Sequence, residues 1–141
     1  MKELLKANQQ RLTDSALLIA RVVIAGMMLN HGLPKVPMLL NGPVKFFTVF
    51  GMSPSVSLTL TLFAQVVCSA LVLFGIVTRL ALVPLIATML VALVVIHRGE
   101  PFARMEPALH FLLVYIVLFL TGPGKYAVDR LIQRANHPDR S

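Results

Sequence analysis

Seven side chains able to do chemistry stand inside or beside stretches that are otherwise apolar: Arg21, His31, Lys35, Gln65, His97, Glu106 and His110. Charged and titratable groups are costly at membrane depth, so each is a candidate functional residue. Imidazole exchanges protons readily under physiological conditions, which suits His31 and His110 to donating or relaying them. Glu106 and His110 are spaced i and i+4 and share one helix face. The carboxylate is thereby placed to orient or deprotonate a histidine. His31, Glu106 and His110 are the candidate catalytic groups, and Arg21, Lys35, Gln65 and His97 the candidate ligand-binding ones. Lys35 is expected to attract an anion at the mouth of the site.

The elements that must hold these residues are set by composition. The chain has 141 residues, of which 57% are hydrophobic and only 13% charged, with a mean hydropathy of +0.80. A soluble domain would be nearer half apolar and about a quarter charged. The excess lies in four long blocks, as a bilayer requires. They predict an all-α membrane protein, an antiparallel bundle of four transmembrane helices at about 15–33, 57–77, 80–97 and 106–122. One domain, 1–141, accounts for the chain, since the spans leave no room for a separate soluble unit. The first block follows a polar start, contains Arg21 and ends in a Pro/Lys segment, so it does not read as a cleavable signal peptide. The lone Cys68 falls inside the second block and reads as a packing residue.

The net charge of +7 raises the question of nucleic acid, but the basic residues cluster beside the spans, where they set topology and touch anionic headgroups. Nucleic acid is therefore not an expected partner. Eight Lys and Arg lie on the side of the termini: Lys2, Lys6, Arg11, Arg79, Lys125, Arg130, Arg134 and Arg140. Four lie on the other: Lys35, Lys45, Arg98 and Arg104. The positive-inside rule places both termini in the cytoplasm. Thr78-Arg79 is read as the tight turn between spans two and three. The prolines and glycines of 34–56 predict a punctuated loop, with 44–50 as a short amphipathic segment at the interface. Residues 126–134 read as a second amphipathic segment, with Val128, Leu131 and Ile132 apolar, and Asp129, Arg130, Gln133 and Arg134 facing water.

Placed by depth, His31, Gln65, His97, Glu106 and His110 fall in the exterior third of four helices. Apolar helices turn such groups inward and pair them, so a polar pocket opening outward is expected. Arg21 is deep on the inner side. It either snorkels to the inner headgroups or turns inward on the stripe of Ala25, Met28 and Gly32. Three histidines and a glutamate suit several transition metals, but no ligand-spacing motif supports a metal site. No nucleotide-binding motif is present.

Several segments taken together resemble the DoxX family of small bacterial membrane proteins. They are Arg21 with His31-Gly32-x-x-Lys35, then Gly51-Met52-Ser53-Pro54, then Gly75-Ile76-Val77-Thr78-Arg79. Met89-Leu90-Val91-Ala92 with His97 and Glu106 follows, and finally Thr121-Gly122-Pro123-Gly124-Lys125-Tyr126-Ala127-Val128-Asp129-Arg130-Leu131. The pattern departs at Gln65, a neutral amide where relatives often carry an acid, so a proton-relay role does not carry over there. The resemblance implies four helices in the bacterial inner membrane and an association with redox chemistry. The expected function is a membrane subunit of a redox system, with a pocket for a quinone headgroup or a small sulfur or thiol compound. The sequence assigns no cofactor; quinone is the one the resemblance would admit. The partners are membrane lipid, a soluble or membrane redox enzyme, and further copies of the chain. The rival is a non-catalytic scaffold or small-solute permease.

Overall fold

The four apolar blocks become four helices long and apolar enough to cross a membrane. In the computed structural model, which describes residues 1–137, they run Lys2–Leu40, Pro54–Phe74, Thr78–Ile96 and Phe102–Thr121. We call these the first to fourth spans. A C-terminal helix follows at Val128–Asn136. Among the described residues there is no strand. Arg140, counted above for topology, lies outside the described residues.

The first span is longer than its apolar block at both ends. Its helix starts at Lys2, so the polar N-terminal segment is helical and exposed. At the other end it passes through a single 3₁₀ turn, Leu33–Lys35, and runs on to Leu40. Pro34 and Pro37 do not stop it. Each sits at the first or second position of its segment, where a missing N–H leaves little unpaired. The expected loop is thereby shortened, and Lys35 lies within the span. Residues 44–50 form no regular element, contrary to the amphipathic segment expected there. The segment is pinned instead by buried Val49, whose N–H donates to Ser57 Oγ at 3.4 Å.

Spans two and three form the expected hairpin, but its turn is Gly75–Val77, and Thr78-Arg79 open the third helix. The second helix closes on Gly75 at φ +72°. Gly75 N–H donates to Val72 O at 3.1 Å and Ile76 N–H to Leu71 O at 2.9 Å. This pair of bonds satisfies carbonyls that a helix end would leave orphaned. Val77 is also left-handed, at φ +41°, a strained conformation for a β-branched residue. It is held by Asp129, whose carboxylate accepts from Val77 N–H at 2.8 Å and Thr78 N–H at 3.1 Å. Asp129 therefore caps the third span and does not face water as expected. The apolar stripe of the same C-terminal helix, Leu131 and Ile132, is exposed.

The core is one cluster drawn from all four spans, centred on Met28, Val72, Leu82, Leu85, Tyr115 and Leu118, all fully buried. Small residues Ala64, Cys68 and Ser69 are buried too and let the helices approach closely. Adjacent spans pack in sequence order, and the contact between the first and fourth is the lightest. The N-terminal helical segment and the segment after the fourth span meet at one end of the bundle, where Lys125 N–H donates to Asp14 Oδ1 at 3.2 Å.

Candidate functional site

The buried stripe of the first span is Asp14, Arg21, Ile24, Ala25, Met28 and Gly32. This selects the inward alternative for Arg21, which is 1% exposed. Its guanidinium reaches the Gly75 turn and the loop beyond the fourth span, donating to Tyr126 O at 3.4 Å. Nε and Nη1 have no protein partner. A side chain at Gly75 would collide with Arg21 Nη1 and with Ala127, so glycine is required there for space as well as for its positive φ. Arg21 lies ten residues from His31, about 15 Å along the helix, and belongs to the end that carries the termini.

One turn beyond Met28, Gly32 touches the second span. A Cβ on it would stand 2.9 Å from Gln65 Cβ, so the two backbones approach as only glycine allows. This contact aims Lys35 at Gln65, and Nζ donates to Oε1 at 2.9 Å. Gln65 is 4% exposed. It lies near the middle of the second span, inside a π-helical turn, Phe63–Cys68. Such turns insert one residue, interrupt the regular ladder and recur at functional sites. Lys35 is therefore committed to a partner inside the bundle, not stationed at a mouth.

The fourth span buries Ala108, Phe111, Leu112, Tyr115 and Leu118. Glu106 and His110 fall on the flank of that stripe, toward the first span. There they line an open groove of about 810 Å³ whose remaining walls are apolar, among them Ile19, Val23, Met27 and Phe111. The light contact between the two spans leaves this groove. His31, exposed at its own position, meets Phe111 with ring centroids 6.5 Å apart. Phe111 in turn stacks on Tyr115 at 6.0 Å. His97 ends the third span just after a second π turn, Ala92–Ile96, and is half-buried.

The polar residues thus divide between two places. Lys35 and Gln65 join spans one and two; Glu106 and His110 share the groove between one and four, with His31 beside it across Phe111. His97 stands at the end of the third span. Among the described residues, no three His, Cys, Asp or Glu side chains are grouped to hold a metal ion, so the histidines and Glu106 do not form a common ligand set. The division has a simple cause. Helices present different faces to different neighbours, and equal depth does not make residues adjacent.

Sequence reasoning missed two structural carboxylates. Asp14 ties the segment after the fourth span to the first span, and Asp129 ties the C-terminal helix to the start of the third. Asp14 stands seven residues before Arg21 and fourteen before Met28, on the same helix face, and that spacing was the available signal. The hydroxyls of Tyr115 and Ser69 are buried at the centre of the bundle, and nothing in their spacing announced this.

The family model described as DoxX matches residues 16–98. That stretch holds Arg21, His31, Lys35, Gln65 and His97, while Glu106 and His110 lie beyond it. No curated protein sequence and no solved structure matches the chain.

Proposed function

The chain belongs to the DoxX family and is a multi-pass membrane protein; from that premise we propose that it serves a redox system of the bacterial inner membrane by binding a quinone headgroup. The observation that carries this reading is the groove between the first and fourth spans, with its carboxylate and imidazole on one helix face. Ligand sites are mostly apolar clefts of roughly 300–1,000 Å³ with a few convergent polar groups. The groove fits that description, and its openness along the helices suits a lipid-soluble ligand entering sideways. An isoprenoid tail would lie along Ile19, Val23 and Met27. A ring carbonyl would accept from His110, and Glu106 would hold that imidazole in its donating tautomer. Reduction to the quinol takes two electrons and two protons. The electrons would come from a partner redox enzyme, the protons through Glu106 and His110. His31 meets Phe111 at a tilt of 49° and would position that ring. Both termini lie in the cytoplasm on this reading, by the excess of basic residues at their end.

The Lys35–Gln65 bond favours the rival role for that pair: it holds two spans together and needs no ligand to explain it.

The test is thermal unfolding of detergent-purified protein with and without decylubiquinone. The wild type should be stabilised in proportion to ligand concentration. His110→Ala and Glu106→Gln should keep their ligand-free melting temperatures, since both side chains are exposed, and lose the ligand-induced rise. A rise undiminished in both variants would remove the groove as the site and leave the scaffold reading.

A further inference from the structure

A second groove opens at the end that carries both termini, and it differs in kind from the first. It encloses about 1130 Å³ between the helical N-terminal segment, the loop after the fourth span and the C-terminal helix. Its walls carry Arg11, Lys125, Arg130 and Arg134. The one acid on the lining is Asp14, which is buried and already accepts from Lys125 N–H at 3.2 Å. Among the described residues, ion pairs join Lys6 to Glu3 and Arg104 to Glu100; none involves the four cations of the groove. Three separate elements thus bring four cations around one concavity whose one carboxylate, Asp14, is already engaged by a backbone N–H.

We propose that this groove binds a phosphate-bearing anion, and specifically the phosphate of an anionic phospholipid headgroup. Guanidinium groups match phosphate oxygens in a fork of parallel hydrogen bonds. Basic clusters just outside a membrane helix recognise anionic lipid. Position selects lipid over free phosphate. The groove floor includes Leu17 and Gly124, at the mouth of the bundle, so a headgroup seated there leaves its acyl chains level with the spans. Leu131 and Ile132 on the C-terminal helix, and Leu12 on the N-terminal segment, are exposed apolar side chains beside it. They suit immersion in the same interfacial layer. This site is independent of the quinone groove and survives its failure.

The experiment is native mass spectrometry of the full chain released from neutral detergent. It is titrated with dihexanoyl-phosphatidylglycerol, with dihexanoyl-phosphatidylcholine, and with the glycerol lipid in the presence of inorganic phosphate. The anionic lipid should bind, the zwitterionic one should not, and equimolar phosphate should not displace the former. Each cation at a lipid surface contributes roughly fivefold, so Arg11→Gln with Arg134→Gln should weaken binding about thirtyfold. All four basic side chains are exposed, so the variants should melt like the wild type. Lys125→Gln with Arg130→Gln should repeat the loss from the other side of the groove. Lys45→Gln with Arg98→Gln, at the far end of the bundle, should leave binding unchanged. Equal binding of the two lipids, or full binding by both groove variants, would overturn the site. Displacement by equimolar phosphate would overturn its assignment to lipid.

Discussion

Lys35 is a lysine in a span whose neighbours are apolar, and its hydrogen bond to Gln65 decides what it does. A lysine in a spanning helix costs at most about 2.5–3.5 kcal/mol, the helix-centre value on insertion scales, and less toward the helix end where Lys35 stands. The bond returns part of that, because hydrogen bonds between membrane helices average about 0.6 kcal/mol and reach about 1.7. Lys35→Ala and Gln65→Ala should therefore be coupled. A double-mutant cycle of detergent unfolding should give an interaction of about 0.5–1.5 kcal/mol, and a value near zero would show that the two side chains do not support each other. The sequence singled out both residues, but it left Arg21 between snorkelling and the inward stripe of Ala25, Met28 and Gly32, and only packing decided it. The partners of Lys35 and Gln65 were not legible. Lys35 was expected at a mouth because Pro34 and Pro37 were read as the end of the helix. Proline breaks a helix only where an N–H is needed, and in the first turn of a segment it is not.

The third span shows how one element depends on a residue far along the chain. Its first turn has no cap of its own, and Val77 before it is strained. Asp129 supplies the cap from about 50 residues away, with an oxygen also 3.3 Å from Thr78 Oγ1. Asp129→Ala should cost about 0.5–2 kcal/mol, the usual loss for a helix cap. Melting should register it, and amide exchange at Val77 and Thr78 should rise first. An Asp129→Ala variant as stable as the wild type would show the cap to be dispensable. The hairpin itself was legible from Gly75 and the two uninterrupted apolar blocks. The position of the turn shifted by a few residues, because periodicity locates the middle of a helix far better than its ends. The two π turns were not legible. One inserted residue leaves composition and hydropathy unchanged, and only the backbone records it.

At the scale of the whole molecule, four helices and a single bundle followed from block length and hydrophobicity alone. That even span count puts both chain ends together. The side on which they lie rests on charge, with eight basic residues against four. Reporter fusions at Ser141 and at Lys45 should give opposite signals, with the C-terminal fusion cytoplasmic; signals from one side for both would contradict an even number of crossings. The candidate site was only half legible at this scale. Gln65 lies near the middle of its span and His97 at the end of its own, so one common level does not describe all the polar residues. Which of them meet depends on the rotation of each helix about its axis, and that is set by packing: Gly32 against Gln65, and the apolar stripe of the fourth span against the core.

The order in which the partners of the first span are made has a consequence for biogenesis. Arg21 and Lys35 leave the ribosome before anything that accommodates them. Gln65 and Gly75 come with the second span, and the Tyr126 carbonyl arrives after the fourth. Alone in lipid, the first helix carries two uncompensated cations, each costing a few kcal/mol. It is therefore poorly suited to enter by itself and wait. The favourable course is delayed release from the insertion machinery until the second helix is beside it, so that the pair partitions as a hairpin. Arg21 acquires its last contact only when the C-terminal segment folds back under the bundle, which makes that docking the closing step of assembly.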